Sequence, residues 1–301
     1  MVIPSLLNDE ILGEGEYENA IKPSNIDDAY FVSFKNFDSE LLQNSFQERI
    51  SASDYFNKIN EIKKEFPIFK QKIKGKPLIY LDSANSSQKP KVVIDEISRF
   101  YETEFSNVGR SVHTLAVKAT NKFEETRDIV KSYINAKHRE EIIFTKGATE
   151  AINLVANTYG EKFVKNCDEI IVTELEHHSN YVPWHYLRKK KGAVIKFAKV
   201  NDNGEIDVNE FKKHITEKTK MIAFTHISNV TGTIMPVKKI IDLAKSKNIP
   251  VLIDGTQGAP HSVLDMQDLD CDFYVISCHK MYGPNGCLLY TSPSPRDNRW
   301  S

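Results

Sequence analysis

Residues 273–286, FYVISCHKMYGPNG, run from an apolar, β-branched stretch straight into a histidine, a lysine and a Gly/Pro turn. Lys280 therefore stands where a buried strand should end and the chain should bend. A lysine taken partly out of water has its neutral amine favoured and becomes a nucleophile toward carbonyl carbon; a solvated loop lysine is the ordinary alternative. Other strand-like runs also end in polar groups. EIIFT leads into Lys146-Gly147-Ala148-Thr149-Glu150, which opens a helix. Free backbone N–H groups and the positive end of the helix dipole suit a phosphate there, although Thr149 also serves as a plain cap. EIIVTEL is followed by Glu176, His177 and His178. Adjacent histidines do not chelate one metal from a single helix face, which takes i,i+4 spacing. One of them could stack on a flat ring or shuttle protons, and a surface pair is the alternative. MIAFTHI ends at Ser228-Asn229, an amide that could face a ligand or make a turn. PVLID ends on Asp254, a carboxylate that is costly to bury without a positive partner; an ion pair or an Asx-turn would also account for it.

Taken together, these residues place an anion-binding helix start, a flat-ring stacker, a carboxylate and a lysine on successive strand ends. Pyridoxal phosphate needs this set. Its aldehyde takes a Schiff-base lysine, its phosphate a helix N-terminus, and its pyridinium nitrogen a carboxylate that keeps the ring an electron sink.

The elements that must position these groups are legible as alternating patterns. PLIYLD (77–82), EIIFT (141–145), EIIVTEL (169–175), AVIKFAKV (193–200), MIAFTHI (221–227), PVLIDG (250–255) and FYVIS (273–277) read as short buried strands. Helical patterns such as TEAINLVANTYG, DVNEFKKHI and VKKIIDLAKSKN lie between them. This alternation predicts an α/β domain with a mostly parallel, mixed sheet between helices over 61–286, and ligands gather at the carboxyl ends of such strands. Residues 1–60 form an acidic extension, partly helical through the amphipathic spacing of SASDYFNKINEIKKEF. Residues 287–301, CLLYTSPSPRDNRWS, read as a tail without periodicity.

Composition narrows the functional classes. The chain has 301 residues, 40% hydrophobic, and a formal net charge of −1. This balance gives no sign of nucleic-acid binding. No apolar run approaches the roughly 20 residues needed to span a bilayer, and the acidic start resembles neither a secretory signal nor a transit peptide. Four cysteines without a CxxC pair favour a reducing, cytoplasmic setting and argue against a metal site.

From about residue 63 to 286 the chain resembles the SufS-like group of cysteine desulfurases, fold-type-I enzymes of the class V aminotransferase kind. The motifs GKPLIYLDSANSSQKP, FSNVGRSVHTLAVKATNKFEETR, FTKGATEAINLVA, ELEHHSNYVPW, HISNVTGTIMPV, IDGTQGAPH and SCHKMYGPNG stand in the family's order and spacing. The resemblance implies that Lys280 carries pyridoxal phosphate and moves protons, and that His177 stacks on the ring and acts in acid–base steps. It implies that Asp254 pairs with the ring nitrogen, that Gln257 meets the phenolic oxygen, that Thr149, Ser277 and His279 bind the phosphate, and that Ala148 also contacts the cofactor. Asn229, Arg110 and His113 would lie toward the substrate, L-cysteine. The implied reaction leaves L-alanine and an enzyme-bound persulfide for iron–sulfur cluster assembly. The implied assembly is a homodimer that hands sulfur to an acceptor protein of the SufE or SufU kind. A selenocysteine lyase, another class V enzyme, or a non-catalytic cofactor-binding scaffold are the alternatives.

Departures from the pattern are Ser83 and Asn85 in LDSANSSQKP, Gly109 in NVGRSVHTL, and Cys278 in SCHK. The family's small C-terminal domain, with its nucleophilic cysteine loop and a substrate-clamping arginine, is not recognisable after GPNG. The expectation is therefore a truncated chain, weak or inactive as a desulfurase, with a non-native peptide over 287–301.

Overall fold

Of the seven apolar runs that predict strands, six enter one sheet. The computed structural model describes residues 52–109 and 112–292, and the chain divides after Asn60 into two compact units. In the first unit the described residues, 52–60, belong to helix α1 (Ala52–Lys64), which realises the amphipathic spacing over 51–66. The rest of the acidic extension lies outside the described residues.

The second unit begins with a small two-stranded ribbon of β1 (Lys72–Ile73) and β2 (Lys76–Pro77). Helices α2 (Lys91–Thr103) and α3 (Thr114–Tyr133) follow. Then come β3 (Ile142–Thr145), α4 (Ala148–Val155), β4 (Glu169–Thr173), α5 (Val182–Lys191), β5 (Val194–Ala198) and α6 (Val208–His214). The domain continues with β6 (Thr219–Thr225), α7 (Val237–Ser246), β7 (Val251–Asp254), α8 (Met266–Leu269), β8 (Phe273–Ser277) and β9 (Cys287–Thr291). The seven-stranded sheet has the order β3-β9-β8-β7-β6-β4-β5. Its pairs are parallel from β8 through β5, and β9 runs antiparallel to both β8 and β3. Six strands thus point one way and end on one edge.

Alternation along the strands feeds two cores. Ile222, Phe224 and Ile253 pack with Phe211 of α6 and Ile240 and Ile241 of α7. Met221, Ala223 and Leu252 face the other layer, with Ile152 and Val155 of α4 and Trp184 of α5. In α7 the buried residues are Val237, Ile240, Ile241 and Ala244, the i, i+3, i+4, i+7 stripe of a helix on a sheet.

Two expectations are corrected. PLIYLD does not join the sheet: beyond Pro77 it has no strand, and Ile79 and Leu81 are 79% and 90% exposed. An apolar run makes a strand only where a neighbouring edge accepts it, and this one passes over the surface toward the site. Conversely, the aperiodic tail does not begin at 287. Residues 287–291 form β9, inside the sheet, with Leu288, Leu289 and Tyr290 all buried. The Ser/Pro/Arg texture begins only at Ser292, and 293–301 lie outside the described residues.

A buried polar pair seats the turn after β7. His226 Nδ1 and the Tyr274 hydroxyl are 2.7 Å apart. The turn lies on them so closely that a Cβ at Gly255 would stand 1.9 Å from the Tyr274 ring, and one at Gly258 would stand 2.4 Å from His226 Nδ1. Only glycine permits that approach. Burial pushes the His226 pKa down to about 4, so the ring that meets the tyrosine hydroxyl is neutral at physiological pH.

Two measurements check this architecture. Leu289→Ala should cost about 2–5 kcal/mol, as truncation of a packed leucine does, read as a lower urea midpoint; a loss below about 0.5 kcal/mol would deny β9 its interior place. His226 stays neutral in the folded chain while the unfolded chain protonates between pH 6.5 and about 4, so its contribution to stability is lost as pH falls through that window. Relative to His226→Gln, measured at each pH, the wild type should lose up to about 3 kcal/mol from pH 7 to pH 4; a constant difference would contradict the assignment.

Candidate active site

At the edge where the parallel strands end, a cavity of about 430 Å³ opens between the loops. Its wall gathers the ends of several strands because the strands are parallel, so the runs that form β3, β4, β6, β7 and β8 deliver polar residues to the same rim. Lys280, His177, Asp254, Gln257, Ala148, Thr149, Ser277, His279 and Asn229 all line it. His113 is not among the lining residues. It caps α3, with Nδ1 accepting from Ala116 N–H at 3.3 Å. Arg110 lies outside the described residues.

One end of the cavity is the start of α4. Lys146, Gly147, Ala148 and Thr149 are on the wall, and the first backbone bond of the helix is Ala151 N–H to the Gly147 carbonyl, 3.1 Å. The N–H groups of the first turn therefore have no acceptor within the helix. Ser277, at the end of β8, and His279 complete this polar region. Burial lowers the pKa of His279, and the charges of Lys280 and Lys89 lower it further.

Lys280 closes a single 3-10 turn, Cys278–Lys280, directly after β8. It is half-buried, and burial lowers its pKa, outweighing the opposing pull of Asp254 and Asp82. The amine is thus biased toward its nucleophilic form. Asp254 is 3% exposed at the end of β7, and its Oδ1 accepts from Thr256 N–H at 3.0 Å. The Asx-turn weighed from sequence is therefore present, and the carboxylate still faces the cavity. Gln257 donates from Nε2 to the Ala84 carbonyl at 2.6 Å, which ties the Asp82–Lys89 segment to the rim.

His177 precedes the short 3-10 turn His178–Asn180. Its Nδ1 accepts from Ser179 N–H at 3.1 Å, so the neutral ring carries its proton on Nε2. The imidazole is held by that contact and left open to the cavity, the posture a ring-stacking residue needs.

Several residues of the site carry no sequence signal strong enough to single them out. Asn85, Ser179, Thr225, Thr256, Asn285 and Gly286 also line the cavity. Glu176 lies just behind them. It accepts from Thr225 N–H at 3.0 Å, from Asn180 Nδ2 at 2.6 Å and from the Thr173 hydroxyl. Burial pushes its pKa up to about 8, with the charge of Asp254 adding to the effect. Contacts made by residues 49 positions apart leave no trace in spacing. Thr256 Oγ1 is buried without a hydrogen-bond partner, a cost that persists unless something else supplies one.

The donor set fits pyridoxal phosphate. A depressed amine and a buried carboxylate share one cavity with open helix N–H groups and a partner-seeking hydroxyl. Residues 79–297 match the family described as Aminotransferase class-V. A cysteine desulfurase of Pectobacterium atrosepticum is 47% identical over 233 residues, 77% of this chain and 57% of that protein. The first curated relatives are covered over only 33–57% of their length. Among solved structures, the apo cysteine desulfurase of Thermococcus onnurineus NA1 superposes with a TM-score of 0.73 at 35% identity, over 79% of this chain and 58% of that one. The structure titled SspA in complex with cysteine aligns at 28% identity and a TM-score of 0.68, over 74% and 63% of the two chains. The expected mixed sheet, the strand-end cavity and these likenesses converge: the chain belongs to the class V aminotransferase family.

Proposed function

We propose that the chain is the cofactor-binding part of a pyridoxal-phosphate-dependent cysteine desulfurase. The observation that carries this reading is the half-buried amine of Lys280 in the same cavity as the buried Asp254 carboxylate and the open start of α4. Bound there, pyridoxal phosphate would supply an electron-withdrawing ring conjugated to the substrate's α-carbon.

The chain's own residues would do the rest. Lys280 would hold the cofactor covalently and then move a proton at the α-carbon, a task for which its lowered pKa suits it. Asp254 would keep the ring nitrogen protonated. Thr149, Ser277 and His279 would bind the phosphate, Ala148 would contact the cofactor, and Gln257 would meet the phenolic oxygen. His177 would cover the ring face and transfer protons through Nε2. Asn229, on the cavity wall, would lie near the substrate carboxylate, with Arg110 near the rim of the site.

The substrate is proposed to be L-cysteine, the molecule named with one of the structural relatives. L-cysteine and a thiol give L-alanine and a persulfide, with the sulfur leaving carbon for the thiol. That persulfide would pass to an acceptor protein of the SufE or SufU kind for iron–sulfur cluster assembly. The working form is proposed to be a homodimer in the cytoplasm, where thiols stay reduced. None of the described cysteines is among the cavity-lining residues, so the sulfur-accepting thiol is not supplied by this wall.

Two results test the proposal. Borohydride reduction of the chain after incubation with pyridoxal phosphate, followed by peptide mapping, should label Lys280, and Lys280→Ala should lose both the label and the visible absorbance. A colourless, unlabelled wild-type chain would sink the reading. Alanine release from L-cysteine by the 301-residue chain alone should be very weak; rapid turnover would show that a thiol reaches the cavity after all.

A further inference from the structure

The peptide that leads into Lys280 is gripped from outside its own turn. The carbonyl oxygen of His279 accepts from Ser87 N–H at 3.0 Å, Ser87 Oγ at 3.0 Å, Lys89 Nζ at 3.0 Å and Ser86 Oγ at 3.4 Å. A carbonyl offers two lone pairs, so four converging donors exceed what satisfaction of that oxygen requires. Lys89 also donates to the Ser87 carbonyl at 2.7 Å. Its ammonium is therefore set on two neutral carbonyls in a partly buried position, where burial lowers its pKa.

Ser87 reaches both ends of the same turn. Its hydroxyl donates to the His279 carbonyl and accepts from Tyr282 N–H at 2.7 Å. Tyr282 has a φ of 63°, a left-handed conformation that a tyrosine adopts only when its surroundings hold it there. Ser87 is 5% exposed, so water does not compete for these contacts. Farther along the segment, Ser86 Oγ lies 3.2 Å from His279 Nδ1, and the Ala84 carbonyl takes the Gln257 amide at 2.6 Å. The Ala84–Lys89 segment thus bridges the turns after β7 and β8, which carry Asp254 and Lys280.

We infer that Ser87 and Lys89 are positioning residues for Lys280: by anchoring the His279 carbonyl and the Tyr282 amide they aim the Lys280 amine into the cavity. The inference rests on the reading of Lys280 as the cofactor lysine. It assigns to the SSQK stretch (residues 86–89) a function in orienting the amine, rather than in contacting ligand.

The test uses the full 301-residue chain saturated with pyridoxal phosphate. Two signals are read at equal cofactor content: visible-region circular dichroism, which reports the orientation of the bound ring, and the rate of borohydride labelling at Lys280. Lys89→Met should at least halve the dichroism and slow labelling about tenfold, since misplacement of a reacting group by an ångström has effects of that order or larger. Lys89→Arg, which can donate to the same carbonyl, should restore both. Ser87→Ala should reproduce the loss with a native far-ultraviolet spectrum, and it carries the test if Lys89→Met does not fold. Variants that melt earlier but keep the wild-type dichroism and labelling rate would reduce the segment to a stabilising contact and overturn the inference. An unlabelled Lys280 in the wild-type chain would instead remove the reading beneath it.

Discussion

A strand buried on both faces tolerates polar groups only at its ends, and in a parallel arrangement those ends share one edge. In the seven-stranded sheet six strands share one direction, and β9 alone runs against them. The chemistry follows from the geometry. Asp254, Ser277 and the residues just beyond Thr145, Thr173 and Thr225 have nowhere else to emerge, so groups scattered over more than a hundred positions of sequence face one cavity. The hydrophobic layers on either side fix the strands and thereby fix the distances among the polar ends.

Burial sets the character of the groups that meet there. Lys280 and Glu176 are both shifted toward their neutral forms chiefly by desolvation, while the Asp254 carboxylate accepts a backbone N–H from its own turn. A neutral-leaning amine beside a carboxylate is a costly arrangement in an apolar interior. The protein sustains it with a dense set of backbone and hydroxyl donors around the turns. The His226–Tyr274 pair beneath Gly255 and Gly258 adds a rigid floor under the same turn.

Much of this was legible in the residue order. Six strands, the α4 start, Lys280, Asp254 and His177 all follow from periodicity and from what stands at the end of each apolar run. The errors have physical causes. PLIYLD has strand composition, but strand formation depends on an accepting edge, which composition does not report. CLLYT runs directly into Ser/Pro-rich residues that hide its pattern, although its own residues are those of an interior strand. Glu176, Thr225 and Ser87 could not be singled out, because their roles come from contacts across 49 to 195 positions. His113 stands at the start of a helix and its ring caps that helix, a use that the motif alone does not distinguish from substrate binding.

The position of β9 has a consequence for how the molecule comes into being. Among the described residues it is the last strand in sequence, and it lies between β3, the first strand of the main sheet, and β8. During synthesis β3 has no strand to pair with in the sheet until residues 287–291 leave the ribosome, and pairing over such separations is slow. The start of α4 follows β3 directly, so the strand from which it hangs takes its place in the sheet last.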